Sequence, residues 1–196
     1  MEIIKGYRFV TDNLKSEHGD VQWEIGKWRK CEGELALCEN GFHASESPLD
    51  SLNYPFGTRW FKCEAQGKVL KDGDKFCASK MRLVQEIPER VLRQFAIDCA
   101  SYVLPIFEKY CPNDNRPRLA IEAAQAYLDN PSDENAQKRA AARAAAGDAA
   151  WDAAWAAAGA AAWDAAKAAA WDAAKAAAWE WQKVHLENLI KKELGG

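Results

Sequence analysis

A short segment with two arginines at the start of a predicted helix could bind a phosphate. Its sequence is Asp-Asn-Arg-Pro-Arg over residues 114–118, and a proline suits the first turn of a helix. Guanidinium groups beside the positive end of a helix need a negative partner. That partner is either an internal carboxylate, with Asp98, Glu108 and Glu122 available, or a phosphate held by backbone N–H groups and the arginines. The residues predicted to bind a nucleotide are Arg116, Arg118 and Asp114, with Tyr127 for stacking on the base.

A histidine and a serine follow the tight turn predicted at Asn40-Gly41. Side chains two positions apart lie on the same side of a strand, so His43 and Ser45 could project toward the same side. A hydrolase would need a nucleophile, a base and an orienting acid, and no spacing in the chain shows that such groups converge. A structural role for His43, bonded to nearby backbone, stays open beside a functional one. No catalytic residue is assigned from spacing.

Charge and cysteine usage argue against several classes of protein. The chain has 196 residues, a formal net charge of -3 and a pI near 5.7, which is unlike a protein that neutralises many phosphates of duplex nucleic acid. The six cysteines show no Cys-x-x-Cys spacing. We therefore predict a reduced, cytoplasmic protein without a disulfide, a metal or a cofactor. Charged residues interrupt the alanine-rich part, so no membrane span is predicted.

The first 88 residues carry the signals of a small antiparallel domain. Short apolar runs at 2–10, 59–64 and 81–87 alternate with turn pairs such as Asp72-Gly73. Pro88 then separates the last predicted strand from a helical remainder. We predict an α+β fold, in which a mostly antiparallel, β-rich domain over 1–88 precedes an α-helical, alanine- and tryptophan-rich bundle over 89–196.

The remainder of the chain predicts helices. Apolar residues recur at three- and four-residue intervals from Val91 to Phe107, which indicates an amphipathic helix. Pro105 is expected to kink or end it, because proline lacks the backbone N–H. A second helix is predicted from Pro117 to the Asn130-Pro131 pair, and residues 132–194 favour helix almost throughout.

Residues 147–179 repeat a unit of two alanines followed by two variable residues. Alanine is the best helix former and tryptophan a large apolar anchor, so the repeat indicates helical packing, with breaks expected at Gly147 and Gly159. Each four-residue unit advances about 400° around a helix, which is more than one full turn, so successive tryptophans point in different directions. The tryptophans must therefore face different partners along its length, which favours a buried helix or a homo-oligomer. They are Trp151, Trp155, Trp163, Trp171 and Trp179.

An N-terminal stretch resembles a family found in viruses of bacteria. The sequence Cys-Glu-Asn-Gly-Phe-His-Ala at 38–44, with Leu-Asp-Ser-Leu-Asn-Tyr at 49–54, resembles an uncharacterised N-terminal domain common in bacteriophage and prophage proteins. The resemblance covers most of residues 1–88. It implies a phage or prophage setting for the protein.

A second stretch is similar to a helical family labelled putative immunity proteins. It includes Asp-Cys-Ala at 98–100, Arg-Pro-Arg at 116–118 and Ala-Ile-Glu-Ala at 120–123, and alanine-rich helices follow in that family too. This chain lacks the histidines that often occur in the family's alanine-rich part. The resemblance implies a protein partner, such as a toxin.

The order of the N-terminal motifs is also similar to that of ADP-ribosyltransferase-like folds. Gly-Tyr-Arg at 6–8, the stretch 41–45, a helix and then 60–67 follow the order in which that fold's early Arg or His and Ser-bearing strand clasp NAD. Glu86 is the candidate for its catalytic glutamate. The alternative N-terminal site implied by this resemblance consists of Arg8, His43, Ser45, Tyr54 and Glu86.

These observations lead to one main functional hypothesis and three alternatives. The main hypothesis is a non-enzymatic phage accessory protein with an anti-defence role, which sequesters a phosphate-bearing nucleotide signal or blocks a host or toxin protein in an infected bacterial cell. The alternatives are an NAD-dependent ADP-ribosyltransferase-like enzyme or its degenerate descendant, an immunity protein against a toxin, and a structural protein that self-associates through its tryptophan-rich helices.

Overall fold

The chain divides into two compact units. A computed structural model describes residues 2–17, 21–145 and 167–195. The first unit comprises Met1–Val91 together with Gln182–Gly196, and the second comprises Leu92–Trp181. The first unit is built on an antiparallel sheet and the second on helices, which confirms the predicted α+β class.

Five strands form the sheet of the first unit. They are β1 (Ile4–Val10), β2 (Arg29–Lys30), β3 (Phe42–Ala44), β4 (Arg59–Asp72) and β5 (Lys75–Ile87). The strand order is β1-β4-β5-β2, and β3 also pairs with β5. All of these pairs are antiparallel, as the sequence predicts for this region. The long strands β4 and β5 therefore lie at the centre of the sheet, where β1 pairs with β4, and β2 and β3 pair with β5.

A two-residue turn joins β4 to β5 and sets their register. Asp72 pairs with Lys75 across the turn, and Gly73 at its first position has a φ of 57°, a region that glycine enters without steric cost. Glycine at the first central position is typical of a tight hairpin whose twist matches its strands. The turn places Lys75 at the start of β5, at the edge of the cavity described below.

The apolar side chains of the sheet form the main core. Phe61, Phe76 and Met81 are almost completely buried, and Trp23 packs into the same cluster from the segment before β2. On β4, Trp60 is also buried, stacks on Phe9 at 5.7 Å between ring centroids and contributes to a second apolar layer. Along β4, buried Phe61, Cys63 and Ala65 alternate with polar residues, and Trp60 is buried in addition to this alternating set.

Two helices complete the first unit. The short helix α1 (Pro48–Ser51) has proline in its first turn, as predicted, and its Ser51 hydroxyl accepts a hydrogen bond of 3.0 Å from the indole of Trp60. The end of the last helix, α5 (Lys167–Leu194), buries Leu186 and Ile190 almost completely. These two residues belong to the part of α5 that clusters with the sheet.

The described residues of the second unit form helices. They are α2 (Glu89–Tyr110), α3 (Arg116–Asp129), α4 (133–145 as described) and the first part of α5. Helix α2 continues through Pro105 instead of ending there. The missing N–H costs one intrahelical hydrogen bond, but bonding resumes, since the N–H of Cys111 reaches the carbonyl of Phe107 at 2.9 Å. The breaks predicted at Gly147 and Gly159 lie outside the described residues.

Candidate functional site

The first unit contains a cavity of about 950 Å³. Residues of β1, β2 and β3, the loops that precede and follow them, and Lys75 at the start of β5 line it. Four of the five residues of the predicted N-terminal site lie in its wall: Arg8, His43, Ser45 and Tyr54. Segments that are distant in sequence therefore bring these side chains to one place.

Arg8 is the buried cation of this cavity. Its terminal nitrogens contact the Ser16 hydroxyl at 3.2 Å and the sulfur of Met81 at 3.6 Å, and its guanidinium lies 4.6 Å from the ring centroid of Trp23. Its Nε is buried and has no hydrogen-bond partner among the described residues. Burial lowers the pKa of Arg8 to about 10, because the charged form is poorly solvated there. Arg8 remains a cation at neutral pH.

Ser45 also lies in the cavity wall, where it pairs with Tyr7. Its backbone is fixed by two hydrogen bonds to Tyr7 of β1, at 2.8 Å and 3.0 Å. Its hydroxyl oxygen is buried and, among the described residues, has no hydrogen-bond partner. Buried hydroxyl groups are normally satisfied, so this side chain is available for a group that enters the cavity.

His43 is held in its neutral form. Its Nε2 accepts a hydrogen bond of 2.9 Å from the backbone N–H of Cys38, which requires that nitrogen to be unprotonated. Burial, together with the positive charges of Arg8 and Lys75, lowers the pKa of His43 below its usual value. Burial is the largest of these causes, and the two cations act in the same direction.

Tyr54 and Lys75 meet at the edge of the cavity. The Tyr54 hydroxyl donates a hydrogen bond of 2.5 Å to Asp74, and the ammonium group of Lys75 lies 5.1 Å from the Tyr54 ring centroid. Lys75 also contacts the sulfur of Cys38 at 3.4 Å. No ion pair of Lys75 is present among the described carboxylates near this edge, so its charge adds to that of Arg8.

Glu86 lies apart from the other four residues of the predicted N-terminal site. It is not among the described residues that line the cavity. Both of its carboxylate oxygens are held by Arg59 on the neighbouring strand, at 2.8 Å and 2.5 Å. Glu86 therefore has the geometry of a structural ion pair between β4 and β5.

The predicted phosphate-binding arginines of the second unit both hold internal carboxylates. Arg116 binds Asp114 through two side-chain nitrogens, at 2.9 Å and 2.7 Å, and Arg118 donates to Glu108 at 2.8 Å. Tyr127 stacks under the guanidinium of Arg139, 4.0 Å from the ring centroid. A phosphate at this helix start would have to displace existing ion pairs, and the nucleotide role of these residues stays a prediction.

The tryptophans of the alanine repeat are only partly covered by the structure. Trp151, Trp155 and Trp163 lie outside the described residues, and so does the side chain of Trp171, whose backbone is helical. Trp179 is 45% exposed. Self-association through this repeat stays a prediction.

Several residues of the cavity were not anticipated from the sequence. Ser16, Arg29, Cys38 and Lys75 come from loops or from strand ends that show no periodic pattern. The one available signal was the turn pair Asp72-Gly73, which fixes where β5 begins and therefore where Lys75 stands.

The described residues contain neither a metal-binding cluster nor a helix able to span a membrane. No group of three or more His, Cys, Asp or Glu side chains in residues 2–17, 21–145 and 167–195 is arranged to hold a metal ion. Within those same segments, none of the helices combines the length and the apolar character that crossing a membrane requires.

Two family models match overlapping parts of the chain. Residues 4–93 match a domain of unknown function, DUF7666, and residues 82–186 match the Imm-5 like putative immunity proteins. No curated protein and no solved structure matches the chain. Since the second match confirms the resemblance seen in the helical sequence and spans more than half of the 196 residues, the protein belongs to the Imm-5 like putative immunity protein family.

Proposed function

We propose that this chain is a non-enzymatic binding protein of the immunity type, which blocks a protein partner such as a toxin. The observation that carries the proposal is family membership over residues 82–186. An immunity protein acts by occupying the surface of its target, so the helices of the second unit are the expected contact region. The phage or prophage setting suggested by the N-terminal resemblance, with an anti-defence role in the cytoplasm of an infected bacterium, forms part of the same proposal.

An apolar stripe on helix α2 supports a protein partner. Tyr102, Val103 and Ile106 are 45%, 48% and 61% exposed, and their positions span only about 100° of the helix surface. One face of the Tyr102 ring already stacks on Trp181, 4.2 Å between centroids, which fixes its orientation. A preoriented aromatic side chain within an exposed apolar patch is typical of the centre of a protein interface.

The test combines capture of a partner with protection from it. The tagged protein is used to isolate a partner from a bacterial host, and the partner is then expressed with and without this chain. Growth should be inhibited by the partner alone and restored by co-expression. Ile106→Glu should weaken binding at least tenfold and abolish protection, because it places a charge in the stripe.

A matched variant separates this effect from a general loss of solubility. Ile25 is 51% exposed and belongs to the first unit, so Ile25→Glu makes the same change outside the stripe and should leave protection intact. Equal binding by both variants would remove the stripe from the interface. A captured partner whose toxicity is unaffected by this chain would contradict the immunity function itself.

One observation keeps the enzyme alternative testable. Arg8, His43, Ser45 and Tyr54 line one cavity, as the likeness to ADP-ribosyltransferase-like folds implies, whereas Glu86 binds Arg59. We expect no release of nicotinamide when the protein is incubated with NAD. Release by the wild type that is lost in Glu86→Gln would replace the binding function by the enzymatic one.

Self-association remains the third alternative. Its support is the exposure of Trp179, the one tryptophan of the repeat whose side chain is described. Light scattering over a hundredfold range of protein concentration tests it directly. A mass that rises with concentration and falls in Trp179→Ala would favour a structural, self-associating protein.

A further inference from the structure

The cavity of the first unit contains a cation for which the described residues provide no anion. Arg8 contacts a hydroxyl, a sulfur and an aromatic ring, and none of these groups carries a negative charge. A buried arginine is normally paired with a carboxylate, because leaving its charge uncompensated is costly. A ligand that brings the missing negative charge would remove this cost.

Further polar groups of the same wall lack partners. The hydroxyl of Ser45 and the Nε of Arg29 are buried and, among the described residues, make no hydrogen bond. Both residues line the cavity together with Arg8. Arg29 pairs with Met81, which Arg8 contacts, so its unsatisfied N–H and the charge of Arg8 would both be served by a group that carries several oxygens and a negative charge.

The carboxylates near the cavity do not cancel this charge. Glu17, Glu32 and Glu39 contribute to the lining, but all three are exposed to solvent, where water screens their charge. Burial lowers the pKa of His43, and the positive charges of Arg8 and Lys75 lower it further. The floor of the cavity is therefore positive, and its negative groups lie at the rim.

The size and the other walls of the cavity indicate what accompanies the charge. Its volume of about 950 Å³ lies in the range of roughly 300–1,000 Å³ that is usual for small-molecule sites. Aromatic side chains line it as well, and flat apolar rings of a ligand stack on such side chains. They are Tyr7, Phe9, Phe42, Tyr54 and Phe56.

We propose that this cavity binds a small phosphate-bearing nucleotide, with its phosphate at Arg8 and its base against the aromatic wall. Lys75 provides a second positive charge at the edge of the cavity, within 5.1 Å of the Tyr54 ring centroid. This site belongs to the first unit and is independent of the helical stripe that is proposed to contact a protein partner.

The experiment measures binding of ADP, GDP and UDP to the full chain by calorimetry and thermal unfolding. At least one diphosphate should bind and raise the melting temperature, because a ligand that binds only the native state stabilises it. Pyrophosphate and the corresponding nucleoside should each bind at least tenfold more weakly. Pyrophosphate that binds as tightly as the nucleotide would reduce the site to one for a free phosphate anion, and a blank across the panel would overturn the proposal.

The decisive variant is Arg8→Met, which keeps the length and apolar stem of the side chain but removes its charge. Binding should weaken at least tenfold, while the melting temperature of the free protein stays equal or rises, since an unpaired buried charge is lost. Arg82→Met is the control, because Arg82 is paired with Glu64 and is not among the described lining residues. It should bind the nucleotide as the wild type does.

A second variant decides the matter if Arg8→Met fails to fold. Lys75 is half-buried at the cavity edge, so Lys75→Gln should fold normally and weaken nucleotide binding several-fold. A lower melting temperature of Arg8→Met together with unchanged nucleotide affinity in both variants would show that Arg8 has a structural role only.

Discussion

Arg59 on β4 and Glu86 on β5 form a bidentate ion pair across the two central strands, with nitrogen–oxygen distances of 2.8 Å and 2.5 Å. The hydrogen bonds from Arg59 lower the pKa of Glu86. A carboxylate whose pKa is lowered by folding stabilises the native state above its ordinary pKa of about 4.3, and the contribution is lost as the pH falls through the lowered value.

The first prediction concerns Glu86→Gln. It should lower the free energy of unfolding by less than about 1 kcal/mol at pH 7, because both side chains are partly exposed and solvent screens the pair. The difference from the wild type should shrink between pH 7 and pH 3, as Glu86 becomes protonated. Urea unfolding followed by circular dichroism measures this. An equal loss at both pH values would mean that the ion pair is not the cause.

The second prediction concerns His43, whose pKa is lowered by burial and by two neighbouring cations. The imidazole should titrate below its ordinary pKa of about 6.5 in an NMR titration. Acid then favours the unfolded state, which binds the proton more readily, so stability should fall as the pH drops from 7 to 5. His43→Gln should lose less stability over that interval. Titration of His43 above the ordinary value would contradict the positive potential of the cavity.

The third prediction tests the contact between the sheet and helix α1. Trp60→Phe removes the hydrogen bond to the buried Ser51 hydroxyl and leaves space in a packed layer, which should cost about 2 kcal/mol. Trp179→Phe makes the same change at an exposed position and should cost almost nothing. Thermal unfolding compares the two. Similar melting temperatures for both variants would show that Trp60 does not anchor α1.

The fourth prediction concerns the reactivity of the thiols. Burial raises the pKa of Cys63 to about 12 and that of Cys77 to about 11, and only the thiolate reacts with alkylating agents. Iodoacetamide at pH 8 should therefore modify the exposed Cys38 well before these two. Peptide mass spectrometry reads out each site, with urea-unfolded protein as the control in which every cysteine reacts. Modification of Cys63 at the rate of Cys38 would argue against the packing of β4.

The fold class could be predicted from the sequence because its signals are local. The pair Asp72-Gly73 marks a turn, and Pro117 marks a helix start; the structure has both. Of the two effects expected of Pro105, an end of the helix is wrong, since a single lost hydrogen bond does not end a helix that is bonded on both sides, and a kink stays a prediction. The family resemblance in the helical part also rested on local motifs and is confirmed.

The cavity could be predicted only in part. Arg8, His43 and Ser45 were indicated by motif order, but Ser16 and Lys75 reach the cavity through loop geometry and strand register, which leave no periodic pattern in the chain. Glu86 illustrates the converse, because its residue type suited a catalytic role while its partner, Arg59, is set by pairing between two strands. Such pairing is a non-local property of the folded sheet.

The assignment of residues 182–196 to the first unit has a consequence for synthesis in the cell. The strands of the sheet leave the ribosome early, whereas Leu186 and Ile190, which are buried in the finished unit, are translated after the whole helical unit. Domains generally form as their residues emerge from the ribosome. The first unit therefore stays without Leu186 and Ile190 until the intervening helices have been synthesised. A nascent chain stalled before residue 182 should therefore expose apolar surface to chaperones, and release of α5 should end that interaction.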